Sequence, residues 1–307
     1  MKLVIQIPCY NEQDTLKTTL NALPKEVLGV DEIEILIIDD GSKDKTVDVA
    51  REFGVAKISS SGRNLGLAKT FSRGLEVALS MGADVIVNLD ADNQYCADDI
   101  EKLIQPIINK EADIVIGARP IEEIEHFSIT KKILQKLGSH VMRLVSKTDV
   151  KDAPSGFRAF SANAARSINI FDNYTYTLET IIQAGAKGLK IVNVPIRTNP
   201  DLRPSRLVKN NFDYICRSIF TMVRMFIIYR PFRFFATFAG LLFLIGLALG
   251  LRFLFFYLTG DGQGHIQSLI LCAIIFVFSF ICGLLAVISD LLAINRKLLE
   301  DIQKRLR

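Results

Sequence analysis

Cysteine and histidine are scarce in this chain of 307 residues, which contains five of the first and three of the second. The cysteines form no C-x-x-C motif and show no paired spacing, which argues against a zinc framework and against disulfides. We therefore expect a reducing compartment. No apolar leader precedes the first strand-like segment, "KLVIQIP", so we expect the N-terminal part to stay in the cytoplasm.

Charge is almost missing from two long stretches near the C-terminus. Residues 234–258 contain one charged side chain, Arg252, and residues 268–292 contain one, Asp290. Each stretch exceeds the roughly 20 apolar residues that cross a bilayer core, and the Gly-rich segment "TGDGQGH" joins them. The sequence therefore predicts a hairpin of two transmembrane helices over residues 232–294.

Basic residues flank this hairpin, whereas the turn between its helices has neither Lys nor Arg. The positive-inside rule then puts both termini in the cytoplasm and makes the protein a multi-pass protein of the cytoplasmic membrane. The formal net charge of +4 comes largely from these flanks, and it suits an anionic lipid surface rather than nucleic acid. Apolar residues near helical spacing in 211–231 predict an amphipathic helix at the interface, and 295–307 form a basic cytoplasmic tail.

Strand-like and helical segments alternate over residues 1–210 with short loops between them. This pattern predicts an α/β domain, Rossmann-like, with a mainly parallel sheet and helices on both faces. Polar residues follow four of the strands, and ligands of such sheets sit at the carboxyl ends of strands. These polar residues are Pro8–Glu12, Asp39–Ser42, Asp90–Gln94 and Arg119.

The segment "VNLDADNQY" places two aspartates, Asp90 and Asp92, directly after an apolar strand. A carboxylate in such a position is costly unless something pairs with it. Mg²⁺ binds through one or two carboxylates together with substrate phosphates, so the pair predicts a metal site. An Asx-turn is the alternative reading.

The ordered motifs "IPCYNE", "IIDDGSKDKT", "NLDADNQY" and "DAPSGFRAF" resemble those of family 2 glycosyltransferases with the GT-A fold. Within them the chain is similar to the dolichyl-phosphate-mannose-synthase and bactoprenol-glycosyltransferase branch. The resemblance covers about Met1–Arg206, and the two apolar spans match the bactoprenol-type members. It implies an inverting transfer of a sugar from a nucleotide-diphosphate sugar, preferably UDP-linked, to a polyprenyl phosphate, with Mg²⁺ or Mn²⁺ as cofactor.

The resemblance also implies roles for single residues. It assigns the metal to Asp92 and Gln94, with Asp90 supporting the metal or the sugar, and it makes both aspartates part of the catalytic set. The nucleotide-binding positions that it implies are Pro8, Tyr10, Asn11, Glu12 and Asp40, the last at the edge of the base.

The acceptor side is implied by a second group of residues. In related enzymes an aspartate at the position of Asp152 has been assigned as the base. A lipid phosphate has a second pKa of about 6 and is largely dianionic at pH 7, so Asp152 has more reason to orient metal and acceptor; a strand-capping role is the alternative. Guanidinium groups bind phosphates in a bidentate way, and the candidates for phosphate binding are Arg119, Arg203, Arg206 and, more weakly, Lys131 and Arg197.

Two other functions stay open at this point. One is transfer to a sugar hydroxyl of a glycan or glycolipid; the chain has no Trp, and so lacks the Q-x-x-R-W motif of the processive synthases. The other is a membrane subunit that binds a nucleotide sugar without catalysis. We also expect a homo-oligomer, dimer or tetramer, in which Gly240, Gly246 and Gly250 permit close helix approach.

Overall fold

The chain divides into two compact units, Met1–Met222 and Val223–Arg307, which are described one at a time. The coordinates are those of a computed structural model. It describes residues 1–120, 138–140, 142–143, 146–170, 176–200, 219–220, 223–224, 226–227, 230–260 and 262–306.

Among the described residues of the first unit, seven strands form a single sheet, in the order β3-β2-β1-β4-β6-β5-β7. Only β6 runs antiparallel to its two neighbours among the paired strands, so the predicted mainly parallel sheet is confirmed. The strands are β1 Lys2–Cys9, β2 Glu32–Asp39, β3 Lys57–Ser60, β4 Val85–Asn88, β5 Ile114–Ala118, β6 Arg158–Ser161 and β7 Ile191–Pro195. The last two were not predicted from the sequence.

Helices cover both faces of this sheet. Every residue from Leu3 to Cys9 in β1 is buried, as expected for a central parallel strand. Side chains alternate between the two faces of a strand: Ile5 packs in the cluster that holds Leu16 and Ile100, whereas Gln6 faces Gly74. The helices are α1 Leu16–Asn21, α2 Thr46–Phe53, α3 Leu67–Ser80, α4 Ile100–Ile108, α5 Ala162–Ser167 and α6 Tyr176–Lys187, with a 3₁₀ turn at Ala97–Asp99.

The first helix begins later than the sequence predicts. Apolar residues at helical spacing predict a helix over Asn11–Leu23 with Asn11 or Asp14 as N-cap, but the helix begins at Leu16 and Thr15 holds the cap position. Asn11 instead has a left-handed backbone, with φ of 56°. Its Oδ1 accepts a hydrogen bond from the Lys43 N–H at 2.8 Å, so its side chain ties two loops together rather than capping a helix.

The second unit is a pair of long apolar helices, α7 Pro231–Leu258 and α8 Ile266–Leu306. Both contain stretches long and apolar enough to cross a membrane, and most of their large side chains are exposed. The helix α8 extends to Leu306 and so includes most of the segment 295–307, which was predicted to be a separate basic tail. The predicted interface helix falls largely outside the described residues; within it, Ile219 and Phe220 expose their side chains.

Small residues let α7 and α8 pack closely. Cys272 Sγ donates to the Gly246 carbonyl at 3.1 Å, and Ser279 Oγ donates to the Ala239 carbonyl at 2.8 Å. A Cβ atom at Gly246 would lie 3.1 Å from the Phe276 ring, whereas one at Gly240 would meet nothing within 4 Å among the described residues. Gly246 therefore permits close approach inside the hairpin, and the predicted role of the three glycines in contacts between copies of the chain stays a prediction.

Candidate active site

Five loops begin or end at one edge of the sheet. The register pairs Cys9 with Asp39 and Gln6 with Asn88, so the loops after β1, β2 and β4 start side by side. Arg158 pairs with both Asn88 and Ile116, which brings the end of β5 and the loop that precedes β6 to the same edge. The predicted meeting of polar strand ends is therefore a feature of the fold.

Asp90 and Asp92 follow β4 at this edge. Burial first, and the charge of Asp92 second, raise the pKa of Asp90 to about 7, although the positive charge of Arg119 acts against this rise. Asp92 Oδ1 accepts the backbone N–H of Gln94 at 3.1 Å. The two carboxylates thus repel each other, and burial adds to the cost of a charge on Asp90.

The loop before β6 packs directly on Asp90. A Cβ atom on Gly156 would lie 2.7 Å from Asp90 Oδ2 and 3.0 Å from the Tyr176 hydroxyl, so a larger residue would displace the Asp90 carboxylate or the loop. The Gly156 N–H donates to the Tyr95 hydroxyl at 3.1 Å, and its carbonyl accepts from Asn88 Nδ2 at 2.9 Å. Both contacts fix this loop against the end of β4.

Arg119 and Asp152 form a bidentate ion pair. Arg119 Nε donates to Asp152 Oδ2 at 2.7 Å and Nη2 donates to Oδ1 at 3.0 Å. The Arg119 backbone N–H adds a third bond, to Oδ2 at 3.2 Å. The Asp152 and Arg119 side chains are 1% and 9% exposed, so the pair is largely shielded from water. Arg119, a predicted phosphate ligand, thus bonds both oxygens of Asp152, the residue predicted to orient the metal and the acceptor.

Arg158 is a buried cation that sequence reasoning did not single out. Its Nε donates to the Ser155 carbonyl at 2.8 Å and its Nη2 to the Ala153 carbonyl at 2.7 Å. Its Nη1 bonds the Thr177 carbonyl and the Thr180 hydroxyl. Burial lowers the pKa of Arg158 to about 10, so the side chain stays charged near neutral pH. It pins the loop that carries Asp152 to α6.

Asp40 and Asp39 lie at the end of β2 and bind backbone and hydroxyl groups. The Asp40 oxygens accept the N–H groups of Leu65 and Gly66 at 2.7 and 3.0 Å, at the start of α3. Asp39 accepts the Ser42 N–H at 3.0 Å and the Ser60 hydroxyl at 2.6 Å. These bonds fix the loops in which the resemblance places the base of the nucleotide. A carboxylate has about four lone-pair sites, so Asp40 can accept further hydrogen bonds from a nucleotide.

The segment after β1 holds the other predicted nucleotide positions. Pro8 within β1 and Glu12 are buried, whereas Tyr10 is exposed at 39%. The Glu12 N–H donates to the Thr46 hydroxyl, and Glu12 Oε2 accepts from the Thr15 hydroxyl. An exposed tyrosine ring beside ordered loops is a surface on which a base can stack.

Arg197, the weaker candidate for phosphate binding, pairs with a buried carboxylate. Its side chain forms a bidentate pair with Asp99, with Nη2 to Oδ1 at 2.9 Å, and its N–H donates to Oδ2 at 2.7 Å. Burial pushes the pKa of Asp99 upward, but hydrogen bonds from Arg197 and Lys102 outweigh it and leave the pKa lowered. Asn199 extends this contact, because its N–H donates to the Gln94 carbonyl at 2.8 Å. The ion pair clamps the segment after β7 to the turn at Ala97–Asp99, and Asn199 in that segment holds the Asp92–Gln94 loop.

Three predicted phosphate ligands, Lys131, Arg203 and Arg206, lie outside the described residues. Within the described part of the chain, no group of three or more His, Cys, Asp and Glu side chains converges as a metal cage. The donor set still fits a divalent cation. Mg²⁺ uses one or two carboxylates and takes its other ligands from phosphates and water, and a cation would relieve the repulsion between Asp90 and Asp92.

Comparison with known proteins gives consistent matches over the first unit. The family model described as Glycosyl transferase family 2 matches residues 4–168. A UDP-N-acetylglucosamine–dolichyl-phosphate N-acetylglucosaminyltransferase of Methanococcus voltae is 33% identical over 214 residues, which are 62% of this chain and 83% of that protein. An undecaprenyl-phosphate mannosyltransferase of Micrococcus luteus is 28% identical over 207 residues, which are 64% of this chain and 83% of that protein.

Among solved structures, the chain is similar to the glucosyl-3-phosphoglycerate synthase of Mycobacterium tuberculosis, crystallised with Mn²⁺, UDP and glucosyl-3-phosphoglycerate. The TM-score is 0.55 at 17% identity, and the match covers 74% of this chain and 78% of that one. At this identity the likeness concerns the fold.

Proposed function

Because the chain belongs to glycosyl transferase family 2, we propose that it is a membrane-anchored inverting glycosyltransferase. It moves a sugar from a nucleotide-diphosphate sugar, preferably UDP-linked, to a polyprenyl phosphate. The two relatives named above act on dolichyl and undecaprenyl phosphates, and the apolar helices α7 and α8 suit an acceptor that resides in a membrane.

The observation that carries the choice of acceptor is the ion pair of Arg119 and Asp152. Transfer to a sugar hydroxyl needs a base that removes the proton. Uptake of that proton by Asp152 would neutralise the carboxylate and so break its bidentate ion pair with Arg119. A phosphate acceptor is largely dianionic at neutral pH and needs no such base. In this account Asp152 is a positioning residue that holds the Arg119 guanidinium for an incoming phosphate.

The chemistry is a single displacement at the anomeric carbon. An oxygen of the acceptor phosphate forms the new bond to that carbon as the bond to the donor diphosphate breaks, and the electron pair leaves with the nucleoside diphosphate. Mg²⁺ or Mn²⁺, held by Asp92 and Gln94 with Asp90 in support, would supply positive charge for the leaving diphosphate. Pro8, Tyr10, Asn11, Glu12 and Asp40 line the nucleotide side, and Arg119, Arg203, Arg206 and Lys131 serve the phosphates.

The test compares two acceptors with the full-length protein in detergent. Undecaprenyl phosphate and undecaprenol are offered with the same donor sugar, and the variants are Asp152→Asn and, as matched control, Asp149→Asn at an exposed position. We expect transfer to the phosphate alone, and a loss in Asp152→Asn smaller than the roughly 10²–10⁴-fold that a general base supplies. The control keeps full activity.

Two results would contradict this proposal. One is transfer to undecaprenol or to another hydroxyl in preference to the phosphate, with complete loss in Asp152→Asn, which would make Asp152 a true base. The other is tight binding of a nucleotide sugar without turnover on either acceptor, which would make the chain a binding subunit.

A further inference from the structure

The second unit contains a charged cavity, and none of the residues that line it is among those assigned above to sugar transfer. Its volume is about 360 Å³, and Arg230 and Arg233 line it from the start of α7 while Asp290 lines it from α8. Pro231, Ala293 and Ile294 form apolar walls. The cavity lies at the lower end of the roughly 300–1,000 Å³ range of small-molecule pockets.

The arginines in this cavity stand at the beginning of a helix that is apolar over its remaining length, apart from Arg252. Its first turn leaves backbone N–H groups without acceptors inside the helix, and the helix dipole favours an anion there. Burial first, and the like charge of Arg233 second, lower the pKa of Arg230. Two crowded guanidiniums at the start of a helix are a favourable setting for a phosphate.

Asp290 gives the cavity a second, opposite charge. It is the only charged residue of the apolar stretch 268–292, and ionisable side chains in a membrane span are costly unless they meet a partner. A ligand that carried a phosphate alone would bring its negative charge close to this carboxylate. A ligand that carries both a phosphate and an amine meets the arginines with one end and Asp290 with the other.

We propose that this cavity binds the headgroup of a zwitterionic aminophospholipid, with the phosphate on Arg230 and Arg233 and the ammonium on Asp290. Basic pockets between membrane helices near the cytoplasmic side are suited to lipid headgroups, and the presence of a carboxylate selects for the amine. The bound lipid belongs to the surrounding bilayer and is distinct from the polyprenyl phosphate acceptor. The site does not depend on which sugar is transferred.

Native mass spectrometry of the full-length protein in detergent tests this proposal. Phosphatidylethanolamine and phosphatidylglycerol are added in equal amounts, with undecaprenyl phosphate in a third arm, and the retained lipid is identified by mass. The wild-type chain is expected to keep phosphatidylethanolamine about tenfold better than phosphatidylglycerol, the difference that one charge-assisted contact can make. This arm needs no variant and so does not depend on a variant folding.

Variants assign the contacts. Asp290→Asn should remove the preference for the amine while phosphatidylglycerol is still kept, and the double variant Arg230→Gln with Arg233→Gln should keep neither lipid. Arg252→Gln is the control, because Arg252 lies over the Phe256 ring in the same helix and does not line the cavity. Equal retention of the two phospholipids by the wild type, or preferential retention of undecaprenyl phosphate, would overturn the proposal.

Discussion

Gly156 shows how tightly single residues are fitted at the proposed site. A methyl group at this position would lie 2.7 Å from an Asp90 oxygen and 3.0 Å from the Tyr176 hydroxyl, closer than ordinary van der Waals contact. The loop that carries Asp152 therefore touches the Asp90 carboxylate through a glycine backbone. A substitution of Gly156 would therefore displace the Asp90 carboxylate or the loop that carries Asp152, even if the rest of the domain kept its packing.

Gly156→Ala is expected to lower kcat by at least about tenfold, because a misplacement of about 1 Å costs up to 10²-fold in rate. Gly138→Ala is the matched control, since a Cβ there meets nothing within 4 Å in the described part of the chain. Steady-state transfer rates with both variants, together with their melting temperatures, separate a local effect from unfolding. An active Gly156→Ala enzyme would show that this loop adapts and that Asp90 needs no fixed place.

The residues that sequence reasoning missed are those whose partners are distant in the chain. Asn88 bonds Gly156 and Tyr176 across 68 and 88 positions, and Arg158 reaches α6. Asp90, Asp92 and Asp152 could be picked out locally, because each stands beside a strand or turn signal. No local signal distinguishes a buried arginine such as Arg158 from a solvated one, although it stands within a motif that was recognised.

Among the secondary-structure elements, the strands β1 to β5 were predictable from the sequence, whereas β6 and β7 were not. β1 and β2 are rich in Ile, Leu and Val, whereas β6 is the four-residue segment "RAFS" and β7 contains Asn193. Both are held by pairing with β5. Their existence therefore depends on tertiary contacts, which a single sequence does not display.

The 3₁₀ turn before α4 carries the clamp between Asp99 and Arg197. Asp99→Asn is expected to lower the melting temperature and weaken donor binding, because it removes a buried charge that pairs with Arg197 and Lys102, and such a loss costs about 3–5 kcal/mol when the pair is fully buried. Arg197 is itself 58% exposed, so we expect the lower part of this range or less.

Asp98→Asn is the control for that prediction. Asp98 is the neighbouring carboxylate, 74% exposed, and it stands 3.7 Å from the same guanidinium. Calorimetry with the nucleotide diphosphate and a thermal melt are run on both variants. Equal effects of the two changes would mean that the clamp contributes no more than an ordinary surface ion pair.

The molecule as a whole joins a seven-stranded α/β unit to a hairpin of apolar helices, and the sequence predicted both parts. Composition alone predicts the two helices of the hairpin, because a stretch of more than about 20 apolar residues is typical of a membrane-spanning helix. The topology of the hairpin rests on the charge of its flanks, and it remains a prediction. The homo-oligomer, dimer or tetramer, is likewise a prediction.

Reporter fusions at the C-terminus check this topology. With both termini in the cytoplasm, a green fluorescent protein fused after Arg307 should fluoresce, and an alkaline phosphatase at the same point should be inactive. The same two reporters inserted in the turn at Gln263 should behave in the opposite way. An active phosphatase after Arg307 would place the C-terminus outside and would invalidate the positive-inside argument for this chain.

The most direct test of the central claim is a transfer assay that follows the product by mass. Full-length protein is mixed with undecaprenyl phosphate, a panel of UDP- and GDP-sugars, and Mg²⁺ or Mn²⁺, with Asp92→Ala and the exposed Asp98→Ala as paired variants. The account predicts one sugar joined to the lipid phosphate, lost on chelation and in Asp92→Ala but kept in Asp98→Ala. Absence of a lipid-phosphate sugar with every donor, from protein that binds nucleotide, would contradict it.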